Sequence, residues 1–215
     1  MKVISIVNQK GGVGKTTLAT NFACLSASSN KKTILIDADP QESSMKFRAM
    51  RPDTAPQFQA VSINMPTIHK DIKGFTADLI FIDVGGRDNK VFRSSISAAN
   101  MIIIPLLPSQ YDLWSSEETF NLIEEIRTFK DDLKVGAILN QVIAGTTISK
   151  EVQEVMDDFI KKFNLKLFKN KLYSRVAYKE SVSEGLGVTE ILSNPKYEKA
   201  KDEMSKLFNE VMEWV

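Results

Sequence analysis

The sequence predicts an α/β protein in which a doubly wound, mostly parallel β-sheet carries helices on both faces. Three observations predict this class. Short apolar runs alternate along the chain with longer segments of helical periodicity, the order that produces parallel strands joined by right-handed crossovers. A glycine-rich loop joins the first apolar run to the first helical segment. A length of 215 residues is sufficient for a full hydrophobic core, and we expect residues 1–215 to form a single domain.

Five apolar runs are nearly uninterrupted, which is typical of parallel strands that are buried on both faces. They predict strands at 3–7, 33–36, 79–82, 101–104 and 135–139, and a weaker strand is expected at 166–172. The intervening segments predict helices at 16–27, 43–50, 89–99, 115–129 and 150–163, with a last helix at 196–214. Residues 51–75 contain three prolines and little periodicity, so no element is predicted there.

The composition excludes several classes of protein. Hydrophobic residues make up 43% of the chain, charged residues 26%, and the formal net charge is +1. These values disfavour a disordered protein, a coiled coil and any whole-molecule attraction to nucleic acid. Cys24 and His69 are the single residues of their kinds, which excludes an internal disulfide and disfavours a zinc or iron–sulfur centre. Neither a secretory leader nor an apolar run long enough to cross a bilayer is evident, so we expect a cytoplasmic protein.

The glycine-rich loop has the composition and the context of a phosphate-binding loop. It reads KGGVGKTT over residues 10–17, between a strand and a helix. Glycines allow backbone N–H groups to converge on phosphate oxygens, and the following helix presents its N-terminus to the same anion. Lys15 is expected to bridge the β- and γ-phosphates of a nucleotide, and Thr16 to coordinate Mg²⁺. The ATP-binding residues predicted from the loop are Gly11, Gly12, Val13, Gly14, Lys15, Thr16 and Thr17.

The general phosphate-loop pattern has glycine where this chain has Gln9, and the lysine at position 10 matches the deviant Walker A loop. On this loop and on four further segments, the chain resembles the ParA/MinD family of ATPases, most of all the short ParA-type (ParF-like) DNA partition ATPases. The further segments are LIDADPQ at 35–41, LIFID at 79–83, IPLLPS at 104–109 and RVAY at 175–178. The resemblance covers essentially the whole chain and implies a P-loop NTPase fold, ATP and Mg²⁺ as cofactors, and ATP hydrolysis.

Acidic residues at strand ends receive metal-binding and catalytic roles from the resemblance. Asp83 is expected to hold Mg²⁺ through water beside Thr16, and Asp37 to support the water shell of the metal. Asp39 is expected to orient or activate the attacking water. Gly86 could contact the γ-phosphate through its backbone N–H. Helix capping is an alternative role for these carboxylates that the sequence leaves open.

Three further residues receive roles from the resemblance. Lys10 is the signature lysine of the family, and in an ATP-bound homodimer it reaches across to the phosphates of the partner subunit, as an arginine finger does. Lys10, Lys15 and Asp39 are therefore the predicted catalytic residues. Asn140 follows the strand at 135–139 and is a candidate for contacting adenine, although asparagine also favours turns after strands for ordinary reasons. Asp112 is a weaker candidate for the dimer interface.

A basic segment stands out in this otherwise neutral chain. Seven basic residues and no acidic residue lie between positions 161 and 179. Such a cluster can neutralise DNA phosphates without regard to base sequence, and the resemblance implies nonspecific DNA binding by the ATP-bound dimer, with association with the nucleoid. A separate centromere- or cargo-binding adaptor is also implied. A solvated helix face is the alternative interpretation of the predicted DNA-binding residues Lys161, Lys162, Lys166, Lys169, Lys171, Arg175 and Lys179.

The main alternative function is that of a MinD-like positioning ATPase that associates with a membrane. The last predicted helix has a strong apolar face, but Glu203, Glu210 and Glu213 reduce the positive charge that anionic lipids attract. We therefore expect this helix to pack on the core and membrane binding to be absent. A binding module that uses nucleotide only as a structural ligand is a second alternative, against which Asp39 argues. Partition of a plasmid remains the favoured role.

Overall fold

A computed structural model describes residues 1–145, 148–191 and 195–215 of the chain. Within them, seven strands form one parallel sheet whose order is β3-β2-β4-β1-β5-β6-β7. The strands are β1 (Lys2–Ile6), β2 (Thr33–Ala38), β3 (Gln59–Ser62), β4 (Leu79–Val84), β5 (Met101–Leu106), β6 (Lys134–Leu139) and β7 (Lys166–Leu167). The central position of β1 places the loop that follows it in the middle of one edge of the sheet.

Helices cover both faces of the sheet, which confirms the predicted fold class. They are α1 (Lys15–Ser28), α2 (Ser43–Met50), α3 (Ile68–Asp71), α4 (Lys90–Ala98), α5 (Gln110–Arg127), α6 (Lys150–Lys162), α7 (Ala177–Ser183) and α8 (Glu198–Trp214). Apolar side chains of α1, α2, α7 and α8 pack in one core, and those of α3, α4, α5 and α6 pack in the other. Successive residues of β1 alternate between the two cores, Val3 entering one and Ile4 the other.

The five strands predicted from the apolar runs are confirmed with their ends within two residues, and the larger differences lie where apolar content is low. The edge strand β3 falls in the segment for which no element was predicted, and its residues are exposed or only half-buried. The helix α5 begins at Gln110, five residues before the predicted start at 115, because the Ser109 hydroxyl accepts a hydrogen bond from the Asp112 N–H at 3.3 Å. Only 166–167 of the weaker strand predicted at 166–172 is formed, and α7 was not predicted.

The last helix packs on the core as expected. Met204, Leu207, Phe208 and Val211 of α8 are buried among side chains of α1 and the sheet. The apolar face of this helix is therefore occupied by the protein itself. Among the described residues, no helix combines the length and the apolar character needed to cross a bilayer.

A buried arginine connects segments that are far apart in the sequence. The Arg51 side chain is fully buried, and its guanidinium donates to both carboxylate oxygens of Glu190, at 2.8 and 2.5 Å. It also donates to the backbone carbonyls of Pro56 and Gly185 and to Cys24 Sγ. Cys24 is itself fully buried. Arg51 thus fixes the turn after α2 against the segment that follows α7.

Candidate nucleotide-binding site

The glycine-rich loop leaves the carboxyl end of β1 and forms an open cradle at the N-terminus of α1. Gly12 and Gly14 have φ values of 76° and 91°, a left-handed conformation that side-chain-bearing residues rarely adopt. A Cβ added at Gly11 or Gly12 would meet no atom within 4 Å. The space over these two residues is therefore open, and with the helix N-terminus behind it, the cradle fits an anion such as a phosphate group.

Two amide side chains from the opposite half of the chain hold the loop in this shape. Asn140 Nδ2 donates to the Val13 carbonyl at 2.7 Å, and Gln141 Nε2 donates to the Gly12 carbonyl at 2.7 Å. A Cβ at Gly14 would lie 2.3 Å from Asn140 Nδ2, so only glycine permits this approach. Sequence reasoning missed Gln141. The contact of Asn140 with adenine stays a prediction. In the structure, the Asn140 amide donates a hydrogen bond to the loop.

Lys15 extends beneath the loop rather than into solvent. Its Nζ donates to the Lys10 carbonyl at 3.0 Å, and the residue is 8% exposed. Burial lowers the pKa of Lys15, while the nearby carboxylates of Asp83 and Asp39 act in the opposite direction. A buried ammonium group beside an open anion cradle is suited to a ligand that brings its own negative charge.

Two carboxylates meet at the ends of neighbouring strands. Asp37 of β2 and Asp83 of β4 are register partners, and both are almost completely buried. The Asp83 carboxylate accepts a hydrogen bond from Ser44 Oγ at 2.7 Å and another from the Thr16 hydroxyl. Burial raises the pKa of Asp83 to about 6, against the effect of these hydrogen bonds, and the charge of Asp37 contributes to the rise. Ser44 was not predicted from the sequence.

Asp37 and Asp39 differ in exposure. Asp37 accepts hydrogen bonds from the backbone N–H groups of Asp39 at 3.1 Å and of Met45 at 2.9 Å, and burial still raises its pKa. Asp39 is half-buried, and its Oδ1 accepts from the Gln41 N–H at 2.9 Å. A Cβ at Gly85 would lie 3.5 Å from the Asp39 carboxyl carbon, so the segment after β4 passes directly beside this carboxylate.

The donor set around Thr16 fits Mg²⁺ bound together with a nucleotide. The described residues contain no group of three or more His, Cys, Asp or Glu side chains arranged to hold a metal ion. Mg²⁺ in nucleotide sites needs fewer, because it keeps several waters and takes its remaining oxygens from phosphates. The Thr16 hydroxyl and the carboxylates of Asp37 and Asp83 are such oxygens, brought together beside the cradle.

We expect the substitution Asp83→Asn to stabilise the nucleotide-free protein at neutral pH. The folded-state pKa of Asp83 is raised from 3.8 to about 6, so ionisation opposes folding and stability falls as pH rises through this window. A rise of this size corresponds to about 3 kcal/mol, and a gain of ~1–3 kcal/mol is expected because asparagine cannot accept every hydrogen bond of the carboxylate. Urea unfolding at pH 7.5 and pH 5 measures the gain, which should shrink at the lower pH.

The matched control is Asp53→Asn, which replaces an exposed carboxylate in a turn and should leave the free energy of unfolding unchanged. Addition of Mg²⁺ and ADP should raise the melting temperature of the wild type more than that of the Asp83→Asn variant. A variant that is less stable than the wild type at both pH values would contradict the assigned electrostatic cost.

Lys10 and Gly86 flank the cradle. Lys10 is 32% exposed and forms an ion pair with Asp112, near the start of α5 in the same chain. A Cβ at Gly86 would lie 3.1 Å from the Gln9 carbonyl and 3.5 Å from Lys15 Nζ. The backbone of Gly86 is therefore next to the position of the predicted γ-phosphate. Contact of Lys10 with the phosphates of a partner subunit stays a prediction.

A cavity of about 570 Å³ continues from the loop toward α7. Gly12, Gly14 and Thr17 line one side of it, Asn140 and Gln141 line another, and the third is formed by residues of the 173–182 segment. Arg175 and Lys179, which were predicted to bind DNA, lie in this wall. The cavity adjoins the phosphate cradle and has room for a nucleobase and ribose. The aromatic side chains of Tyr173 and Tyr178 also line this wall.

In the folded chain, acidic side chains from other elements offset part of the positive charge of the 161–179 segment. Lys162 pairs with Glu117 of α5 at 2.6 Å, and Arg175 pairs with Glu203 of α8. The carboxylate of Glu210 accepts from the backbone N–H of Lys169 at 2.8 Å. Burial raises the pKa of Glu210, but hydrogen bonds from Lys169 and Asn170, together with the charge of Lys166, bring this pKa below its ordinary value. The structure therefore divides the predicted DNA-binding residues. The exposed members are Lys161, Lys162, Lys169 and Lys179, while Lys166, Lys171 and Arg175 are half-buried.

Comparison with known proteins agrees with this site. A model of the CobQ/CobB/MinD/ParA nucleotide binding domain matches residues 4–188. The chain is 25% identical over 222 residues to the maintenance of carboxysome distribution protein A of Halothiobacillus neapolitanus, covering 97% of this chain and 95% of the relative. It is 24% identical over 213 residues to the chromosome-partitioning ATPase Soj of Thermus thermophilus, covering 85% of each chain.

Solved structures share the fold. A variant of Cyanothece McdA in complex with ATP superimposes with a TM-score of 0.77 over 99% of this chain and 96% of the other, at 18% identity. The cell division protein MinD of Aquifex aeolicus gives a TM-score of 0.75 over 99% of this chain and 98% of the other, at 18% identity. With the match of the family model to most of the sequence, the chain belongs to the ParA/MinD family of deviant Walker A ATPases.

Proposed function

We propose that this protein is a Mg²⁺-dependent ATPase that works as a molecular switch in DNA partition. The observation that carries the proposal is the convergence of the open cradle, the buried Lys15 ammonium group and two strand-end carboxylates at one edge of the sheet. Thr16 and Asp83, with Asp37, would hold Mg²⁺, which neutralises charge on the phosphates. Lys15 would hold the β- and γ-phosphates, and the N–H of Gly86 would contact the γ-phosphate.

Hydrolysis needs a residue that can reach solvent beside the γ-phosphate. Asp39 is half-buried and is held by the Gln41 N–H, so it can orient an incoming water and accept its proton. Lys10 would complete the site from the partner subunit of an ATP-bound homodimer, where its positive charge stabilises the charge on the transferred phosphoryl group. A site assembled from two subunits makes hydrolysis conditional on dimerisation.

The dimer would bind nonspecific DNA through the exposed lysines of the 161–179 segment. A separate adaptor would stimulate ATP hydrolysis, and hydrolysis would release the protein from the DNA. Similarity to Soj and to the carboxysome distribution protein supports a role in partition or positioning. This single domain would act in the cytoplasm and would carry a plasmid or another cargo on the nucleoid. The MinD-like alternative needs a membrane-binding helix, and burial of the apolar face of α8 does not favour that helix.

We expect Lys15→Ala to weaken nucleotide binding by ~10–100-fold, the loss that follows removal of one or more charged hydrogen bonds to a ligand. Titration of a fluorescent ADP analogue with Mg²⁺ measures the change in affinity. Lys31→Ala is the control, because Lys31 is exposed in the turn after α1. Equal affinity for the nucleotide in both variants would contradict the assignment of the cradle as the nucleotide site.

Binding to a random-sequence DNA duplex tests the proposed switch. Fluorescence anisotropy at physiological salt is measured first with ADP and then with a nonhydrolysable ATP analogue. We expect binding only with the ATP analogue and a steep loss of affinity as salt is raised, because binding to phosphates releases counterions. Binding that does not depend on the nucleotide, or no binding in either state, would contradict the DNA-partition role.

Charge reversal locates the DNA surface. Lys161→Glu combined with Lys169→Glu should weaken ATP-dependent DNA binding at least ~10-fold and reduce its dependence on salt. Lys70→Glu, which reverses an exposed lysine on α3, is the matched control and should change little. Equal loss in the control would indicate that net charge, rather than the 161–179 segment, determines the affinity.

A further inference from the structure

The strand β3 leaves one edge of the sheet free. It lies at the end of the strand order, and among the described strands it pairs with β2 alone. The Ile63 N–H donates to the Asp37 carbonyl at 2.9 Å. Successive residues of a strand direct their backbone groups to opposite sides, so Val61 also faces β2, and the N–H and C=O groups of Ala60 and Ser62 point away from the sheet. These four groups can pair with another strand.

A groove runs along this free edge. A cavity of about 610 Å³ lies where β3 begins, and a second cavity of about 420 Å³ continues along the strand. The two cavities adjoin, because four residues line both of them: Ile34, Arg48, Phe58 and Gln59. The remaining residues that line the second cavity are apolar: Ala60, Val61 and Phe75. The function proposed above gives this groove no role.

Positive charge is concentrated in the first cavity. Its lining includes Lys31, Lys32 and Arg48 and no acidic residue. Arg48 is held in place, because its Nε donates to the Phe58 carbonyl at 2.9 Å and its guanidinium carbon lies 5.8 Å from the centre of the Phe58 ring. Within the part of the chain that the structure describes, none of the three cations forms an ion pair. They can therefore bind the carboxylates of a ligand.

The combination of charge, apolar lining and free backbone groups fits a peptide. Extended peptides bind to sheet edges through main-chain hydrogen bonds, and pockets beside the edge select their side chains. The carboxylate of Asp78 accepts from the Lys32 N–H at 2.8 Å, but Asp78 lines neither cavity. Nucleic acid phosphates would match the cations, but they would leave the carbonyls of Ala60 and Ser62 and the apolar cavity without a counterpart.

We propose that the free edge of β3 is a docking site for an extended peptide of a partner protein, in which a cluster of acidic residues flanks a short apolar run. The acidic cluster contacts Lys31, Lys32 and Arg48. The apolar run adds to β3 as a further strand and places side chains in the second cavity. The first cavity lies at the amino ends of β2 and β3, at the opposite edge of the sheet from the phosphate cradle, so docking does not depend on the proposed nucleotide switch.

Fluorescence anisotropy with synthetic peptides tests the proposal on the full chain, without nucleotide. The fluorescein-labelled probes contain three glutamates and two valine–threonine pairs, in both orders, because a strand can add in a parallel or an antiparallel direction. We expect at least one order to bind at least ~10-fold more tightly than its counterpart with lysine in place of glutamate. Equal affinity for the glutamate and lysine peptides, or no binding of either order, would overturn the proposal.

Charge reversal beside the first cavity locates the docking site. Lys31→Glu combined with Lys32→Glu should weaken binding of the glutamate probe at least ~10-fold. Lys46→Glu combined with Lys70→Glu is the matched control, because these exposed lysines of α2 and α3 line neither cavity. Equal loss in both variants would overturn the proposal, since net charge would then determine the affinity. A Lys31/Lys32 variant that binds the probe normally but loses binding to a DNA duplex would overturn it too, because nucleic acid would then occupy the groove.

Backbone pairing is tested by changing the probe and leaving the protein intact. N-methyl groups replace the amide hydrogens at alternate positions of the valine–threonine run, in each of the two phases. Because β3 can pair with only one side of an added strand, methylation in one phase should weaken binding at least ~10-fold, and methylation in the other should change it by less than about threefold. Equal affinity of the methylated and unmethylated probes would show that charge alone holds the peptide, which would overturn the proposal.

Discussion

Replacing Lys10 by alanine should reduce ATP turnover by ~10³-fold while leaving nucleotide binding by the monomer within about twofold of the wild type. The loss is the magnitude expected when a cation supplied by a partner subunit is removed from a phosphoryl-transfer site. Binding should persist because the cradle and Lys15 are intact, and Lys15 contacts the backbone carbonyl of Lys10 rather than its side chain. Phosphate release and titration with a fluorescent ADP analogue measure the two effects separately.

The control for this prediction is Asp112→Asn, which removes the charge paired with Lys10 and keeps the lysine. Turnover in this variant should stay far above that of Lys10→Ala, because Lys10 is still present to act. The stability of both variants should stay close to that of the wild type, since the Lys10–Asp112 pair is partly exposed. Normal turnover in Lys10→Ala would rule out a site shared between subunits.

Replacing Arg51 by alanine should lower the free energy of unfolding by about 3–5 kcal/mol, the cost of removing one partner from a buried ion pair. Glu190 would be left with a carboxylate side chain that is 9% exposed and has lost its cation. The carbonyls of Pro56 and Gly185 would also lose their donor. Urea unfolding at pH 7.5, followed by circular dichroism, measures the loss.

Arg93→Ala is the matched control for Arg51→Ala. Arg93 pairs with Asp88 and Glu125, but its side chain is 49% exposed, so the expected loss is below about 1 kcal/mol. Comparison of the two variants isolates the effect of burial from that of charge pairing. A similar small loss in both variants would show that Arg51 does not hold the turn after α2 against the segment that follows α7.

The sequence predicts the strands that are buried on both faces, and it misses short elements that are partly exposed to solvent. The runs that became β1, β2, β4, β5 and β6 are apolar on both faces, so composition identifies them without reference to the rest of the fold. The edge strand β3 has no such signal, because one side of it faces solvent. The short helix α7 is likewise largely exposed or half-buried, and only Ala177 and Ser181 in it are buried.

The residues of the site also differ in whether a local sequence pattern predicts them. Lys15, Thr16, Asp37 and Asp83 follow from a local motif and from strand ends, and the structure brings them to one place. The contacts of Gln141 with Gly12 and of Lys10 with Asp112 span more than a hundred residues. No local pattern records such pairs. The carboxylates of α8 likewise approach the basic segment only after folding, so a count of charges along the sequence overstates its positive charge.

The central position of β1 in the sheet has a further consequence for how the molecule opens. From β1, the strands β4, β2 and β3 extend to one side, and β5, β6 and β7 extend to the other. The metal-side carboxylates belong to the first half, and the amides that hold the loop belong to the second. A nucleotide at the junction would therefore bridge two regions that could otherwise unfold separately. Amide hydrogen exchange should slow in both halves together when nucleotide binds, and β6, on the side away from Mg²⁺, should gain protection as β4 does.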